Sequence, residues 1–218
     1  MEKERRGALI AACVFVAAAA AFTAIAWGVS TGGWTAAFDE SAAAWFRGHR
    51  TATGVEAMEF VSNAHSPGMI GVWSAAFAAA LALRGEKAWL VTLALAVGGG
   101  MLLNEALKLT FHRARPIADG ATHALASYGF PSGHTADSAV FYGTLAAFTI
   151  AHLTHPAPRA AAAAGAIAAV ALVAASRLYL DVHYLSDVAA AACSSTMWLV
   201  LCLSRKTSPR EAGRGSGA

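Results

Sequence analysis

The sequence predicts an all-α fold, a polytopic membrane helical bundle with six transmembrane helices, and three observations carry that expectation. Of 218 residues, 57% are hydrophobic and only 13% are charged, where an ordinary soluble domain carries about 25% charged residues. The mean hydropathy of +0.50 describes the whole length and not one segment, so several spans are expected and no large water-soluble domain. Six stretches approach the roughly 20 apolar residues that cross a bilayer core as helix: 7–29, 67–83, 88–111, 134–153, 160–178 and 184–203. The same composition argues against nucleic acid as a partner and makes membrane lipids the expected surroundings.

Each segment has its own reason. Residues 2–6 are charged, and Ala24-Ile25-Ala26 resembles a signal-peptide cleavage site. The apolar run behind them covers 7–29, however, longer than the roughly 7–15 residues of a signal core, and it reads as a retained first span. Residues 30–66 are too charged to cross, yet they carry Trp34, Phe38, Trp45, Phe46, Met58 and Phe60. Two readings fit them: short amphipathic helices lying at the interface, or an outside loop anchored by a few aromatics. Alanine runs at 17–21 and 160–164 allow close helix packing and carry no chemistry. Cys13, Cys193 and Cys202 all lie in apolar runs, where cysteine acts as a small hydrophobe and not as part of a disulfide framework.

An even number of spans puts both termini on one side. The positive-inside rule makes that side cytoplasmic: Lys3, Arg5, Arg6, Arg84, Lys87, Arg159, Arg205, Lys206, Arg210 and Arg214 are ten of the sixteen basic residues. The domain layout that follows is a cytoplasmic N-terminus at 1–6, one six-span domain at 7–204 and a disordered cytoplasmic tail at 205–218. Arg47, Arg50, Lys108, Arg113, Arg115 and Arg177 fall on the opposite face.

The ionisable residues at span ends are the informative exceptions, because a charge within the membrane costs about 2.5–3.5 kcal/mol on insertion scales. They are Glu105, Lys108, His134, Asp137, Arg177, His183 and Asp187. In the expected topology all of them sit at the outward ends of their helices. Single charges at helix ends often snorkel; this many on four spans at one face reads as a site.

Its parts suit phosphate. Lys108, Arg113, Arg115 and Arg177 can bind several phosphoryl oxygens, and arginine does so with a planar fork. Ser132 and Gly133 precede an apolar helix whose first N–H groups would point at an anion, with glycine permitting close approach. His183 and Asp187 are one helical turn apart, so the carboxylate can hold Nδ1–H and leave Nε2 aimed at an electrophile. Histidine can be a covalent nucleophile, and His134 beside the phosphate loop can protonate a leaving oxygen. A metal site is the competing use of His and Asp, but four nearby cations would repel it.

Three segments then match one pattern in order and spacing: Lys108 to Arg115-Pro116 as K-x6-R-P, Pro131-Ser132-Gly133-His134 as P-S-G-H, and Ser176-Arg177 to His183 and Asp187 as S-R-x5-H-x3-D. This resembles the type 2 phosphatidic acid phosphatase superfamily, six-span lipid phosphatases related to bacterial acid phosphatases and vanadium haloperoxidases. The resemblance covers 108–187; upstream the chain matches only in having spans and a loop. It implies that Lys108, Arg115 and Arg177 bind the phosphate, with Ser132 and the Gly133 amide completing the cradle. It further implies His134 as general acid, His183 as the nucleophile forming a phosphohistidine, Asp187 as its orienting carboxylate, and no metal or other cofactor. The implied enzyme is a membrane lipid phosphatase acting at the extracytoplasmic face of the plasma membrane, on an isoprenoid diphosphate such as undecaprenyl diphosphate, on phosphatidylglycerophosphate or on phosphatidate. Rival readings are a lipid phosphoryl transferase using the same site and a small transporter, which would need polar residues along a whole path across the bilayer. Glu105 is expected to pair with Lys108. Asp137 and Asp181 add negative charge near the site, and the residues leave open whether they bridge the arginines or tune His134, while His112 and His123 are expected to be solvated.

Overall fold

The computed structural model describes residues 2–116 and 128–207, and every regular element among them is helical. In chain order these are α1 (Glu2–Thr31), α2 (Trp34–Gly48), α3 (Ala52–Ala64), α4 (Pro67–Leu83), α5 (Lys87–Leu93), a π-helical turn (Ala94–Gly98), α6 (Gly99–Phe111), α7 (Gly133–His152), α8 (Pro156–Tyr179) and α9 (Leu185–Thr207). Local chemistry sets several of the ends. Thr51 caps α3 by accepting from the Gly54 amide, and Ser66 caps α4 by accepting from Met69, with Pro67 at its first turn, where a missing N–H costs nothing.

All six apolar stretches are helical, but length and hydropathy qualify only four of them as crossings: Glu4–Thr31, Lys87–Phe111, Pro156–Tyr179 and Leu185–Ser204. A fifth arises if Ala52–Ala64 and Pro67–Leu83, bent by 50°, count as one broken span. The expected six are therefore not established by these criteria. Two helices fall short: α4, by itself only 17 residues long, and α7, in which Thr135, Asp137, Ser138 and Thr144 are buried within the bundle, so that it is polar where a lipid-facing helix would not be.

α7 is the central helix, packing on α8, α9, α6 and α4, while α1 lies along α9. One apolar cluster, Ile70, Leu81, Trp89, Leu93, Val97, Val140 and Phe141, joins α4 and the α5 segment to α7. At the π turn a neighbour packs closely: Trp198 Nε1 donates to the Leu95 carbonyl at 3.0 Å, which also accepts from the Gly99 amide, and a Cβ on Gly99 would collide with the Trp198 indole. A second cluster of Ala26, Phe130 and Ala190 with Phe22 and Phe111 seats the start of α7. Phe130 is fully buried, with its ring 4.8 Å from that of Phe111.

The stretch 30–66 resolves into α2 and α3, two helices and not an open loop. Their inward faces bury Thr35, Asp39 and Ala43 on α2 and Ser62 on α3. α2 packs on α8 and α9, and α3 on α8, so the segment is part of the bundle. α9 continues to Thr207, so its last three residues lie within the expected tail. The remainder of that tail, 208–218, and His123 lie outside the described residues.

Candidate active site

The ends of α6, α7, α8 and α9 meet on one side of the bundle. α7 begins at Gly133, with Ser132 extended at the N-cap position and its side chain making no capping bond. Ser132 is instead fixed by its own amide, which donates to the Asp187 carbonyl at 3.1 Å, and by its hydroxyl, which accepts from Thr135 Oγ1 at 3.2 Å. The first N–H groups of α7 are therefore left for a ligand, the arrangement that favours anions.

Lys108, buried in the last turn of α6, reaches the same helix start. Its Nζ donates to Glu105 Oε2 at 3.3 Å, and a Cβ added to Gly133 would lie 3.3 Å from that Nζ. The expected Glu105–Lys108 pair is present. A side chain at Gly133 would crowd that ammonium, so Gly133→Ala is expected to shift it and lower kcat/KM about tenfold, since small misplacements of a binding group are costly. An unchanged kcat/KM in a steady-state assay would contradict this.

His183 sits in the turn between α8 and α9 and is 2% exposed. The turn is made by Asp181 in the left-handed region, φ 54, with Val182 N donating to the Arg177 carbonyl at 3.2 Å. His183 Nδ1 is 3.4 Å from Asp187 Oδ2, and Arg115 Nη1 is 3.0 Å from His183 Nε2. Both contacts are satisfied by one tautomer, with the proton on Nδ1 and the Nε2 lone pair facing the cation; the pair is made from a turn residue and a residue of α9's first turn, not from one helix face as the i, i+4 spacing suggests. Arg177 is buried in the last turn of α8, its Nη1 donating to Ser62 Oγ on α3. Half-buried His134 lies in the combined field of Arg177, His183, Arg115 and Lys108. Every residue expected at the site from the motifs is thus drawn to one place.

The electrostatics select the neutral imidazole. Burial first, then the Arg115 and Arg177 cations, hold His183 down to about 4 from the ordinary 6.5, against the opposing pull of Asp187. Between about 6.5 and 4 an unfolded chain would bind a proton that the folded chain does not, so stability from this residue is lost as pH falls through that window. The His183 ring is expected to stay neutral at pH 5 in ring-nitrogen NMR spectra, assigned by comparison with His183→Asn. A midpoint near 6.5 would contradict the burial seen here.

One expectation requires correction. Arg113, taken as a further phosphate cation, has its guanidinium committed elsewhere: Nη1 donates to Asp187 Oδ1 at 2.5 Å and to Ser186 Oγ at 2.6 Å, and Nη2 donates to Asp39 Oδ2 at 2.7 Å. It also lies 4.5 Å over the Tyr184 ring. Burial opposes its charge, but Asp187 and Asp39 outweigh burial and leave its pKa raised. Asp181 bridges Arg47 at 3.5 Å, not a phosphate-site arginine. Asp137 is buried beside the site with Oδ1 lacking a partner among the described residues. His112 is exposed and closes α6 in the left-handed region, φ 46.

With the geometry in place, comparison with known proteins gives a consistent result. The model of the PAP2 superfamily matches residues 89–208. The chain belongs to that family. Phosphatidylglycerophosphatase B of Bacillus subtilis (strain 168) is 39% identical over 107 residues, 47% of this chain and 51% of that protein. The match thus spans about half the length of that curated relative. In fold, the crystal structure of a transmembrane PAP2 type phosphatidylglycerolphosphate phosphatase from Bacillus subtilis superposes with a TM-score of 0.80 at 24% identity, covering 91% of this chain and 98% of that one.

The residues matched by the PAP2 model begin after α2 and α3, and the three motifs do not reach those helices either. Asp39, Ser62 and Ser186 went unremarked as site residues. Asp39 and Ser62 lie in a segment read only for its aromatics; the one available signal was an acidic residue at a spacing that shares a helix face with Thr35 and Ala43.

Proposed function

We propose that this chain is an integral membrane lipid phosphatase that hydrolyses a lipid phosphate through a phosphohistidine on His183. The observation that carries the reading is the buried His183 ring, held by Asp187 at Nδ1 and faced by Arg115 at Nε2, within a ring of cations at the start of α7. In the first step Nε2 attacks phosphorus, an N–P bond forms, the bond to the leaving oxygen breaks, and His134 gives that oxygen a proton. In the second, water attacks the phosphohistidine, His134 takes its proton, and inorganic phosphate leaves. Lys108, Arg115, Arg177, Ser132 and the Gly133 amide would hold the equatorial oxygens, where positioning and charge stabilisation supply most of the rate. No metal is assigned a part.

The relative named phosphatidylglycerophosphatase B supports phosphatidylglycerophosphate as the first substrate to consider, ahead of isoprenoid diphosphates such as undecaprenyl diphosphate and of phosphatidate. A site at helix ends suits all three, because the phosphate can enter while the acyl or prenyl chains stay in the bilayer. The distribution of basic residues supports six crossings, cytoplasmic termini, a cytoplasmic tail and an extracytoplasmic site in the plasma membrane. Purified protein in detergent, offered these lipids with EDTA present, is expected to release inorganic phosphate from at least one. No release from any would overturn the reading. Release only after Mg²⁺ is restored would overturn metal independence, and disappearance of substrate without free phosphate would indicate a phosphoryl transferase.

A further inference from the structure

Asp187 is fully buried, and its two oxygens are divided between different duties. Oδ2 takes the His183 Nδ1 contact at 3.4 Å and the Tyr184 amide at 2.8 Å; Oδ1 takes Arg113 Nη1 at 2.5 Å. The shortest of these contacts, and therefore the one that most strictly sets where the carboxylate stands, comes from Arg113.

What orients Arg113 is a residue far away in the chain. Asp39, buried on the inner face of α2, accepts from Arg113 Nη2 at 2.7 Å, from Ser186 Oγ at 2.6 Å and from the Ser186 amide at 2.8 Å. Ser186 Oγ is in turn 2.6 Å from Arg113 Nη1. One guanidinium is thus shared by two carboxylates. We infer that Asp39 is a positioning residue for the His183–Asp187 pair, acting through Arg113 and Ser186, so that α2 is a working part of the site.

The inference rests on the phosphatase reading for its kinetic consequence and on geometry for the rest. Charge makes the arrangement purposeful. Arg113 alone would neutralise Asp187 and weaken its hold on the imidazole. With Asp39 present, the Asp39–Arg113–Asp187 trio keeps a net negative charge beside His183 while Arg113 still fixes the carboxylate. Asp39 also occupies Nη2, which stops the guanidinium from turning toward a bound phosphate. Asp39 lies outside the residues matched by the PAP2 model, 89–208.

The test is Asp39→Asn, which keeps the shape and removes the charge. Expected is a fall in kcat of about 10-fold to 100-fold, the range typical when an outer partner that orients a functional histidine is lost, with KM changed less than about threefold. In ring-nitrogen NMR spectra without substrate, His183 is expected to lose its single Nδ1–H tautomer and become a mixture. In an Arg113→Gln background the same substitution is expected to add less than about twofold, because its route is already cut. A kcat within about twofold of wild type with the tautomer intact, or full additivity with Arg113→Gln, would overturn the inference. If Asp39→Asn lowers the melting temperature so far that the protein is unfolded under assay conditions, Ser186→Ala, which removes only the shared hydroxyl, carries the same comparison. Should wild type release no phosphate from any lipid, the phosphatase reading fails, while the tautomer comparison still decides the role of Asp39.

Discussion

Replacing His183 by alanine is expected to lower kcat for phosphate release on the order of 10⁴-fold or more, as when a residue acting at the bond-making centre is removed. The magnitude follows from its double duty, for without Nε2 no N–P bond forms and without Nδ1–H the buried Asp187 carboxylate loses a partner. Substrate binding should survive, because Lys108, Arg115 and Arg177 remain. The measurement pairs steady-state release with trapping of the phospho-enzyme at alkaline pH, where phosphohistidine persists. Wild type should show an acid-labile phosphate on the protein and His183→Ala none. Equal release from both proteins would remove the histidine from the chemistry altogether.

Arg177→Lys is expected to cost about 10²-fold to 10³-fold in kcat/KM, the range for losing one well-placed donor to a developing anion. The substitution keeps the charge and removes the fork. Arg177 is 7% exposed and gives Nη1 to Ser62, while its Nε has no partner among the described residues. One side chain therefore ties α3 to α8 and still has donors to offer phosphate. A lysine supplies one nitrogen and cannot do both. The variant should also bind inorganic phosphate or vanadate more weakly as a competitive inhibitor. A loss under about fivefold would take Arg177 out of the phosphate cradle.

Much of the site was legible because helices and short motifs encode local geometry directly. The spacing of His183 and Asp187 predicts a shared helix face; the 3.4 Å contact is present, but α9 begins at Leu185, so the turn before that helix, and not a shared face, brings His183 to Asp187. The Pro131-Ser132-Gly133-His134 run announces a helix start with free N–H groups, and α7 begins there. Lys108 pairs with Glu105 for the same local reason, three residues apart on α6. The helical positions of all six apolar stretches follow from composition and length. The count of crossings does not, because hydropathy assumes lipid on every side, whereas α7 is enclosed by other helices and can afford Asp137, Ser138 and Thr144 in its interior.

Arg113 shows the limit from the other direction. Beside Arg115 in the chain, it has the same chemistry, and nothing local separates a phosphate ligand from a clamp. The structure separates them by what each guanidinium faces: His183 Nε2 for Arg115, and Asp187 with Asp39 for Arg113. Asp39 was similarly silent, since an acidic residue on an amphipathic helix is ordinarily solvated. By itself, then, the sequence determined that the chain is helical and membrane-embedded, and which residues bear its phosphate motifs, because those properties depend on composition and on spacings within a few turns. Only the tertiary structure decided which cation faces His183 Nε2 and that Asp39 joins Arg113 and Ser186 beside it. Asp39 and Ser186 are 147 residues apart, and their contact exists only once α2 has packed against α9.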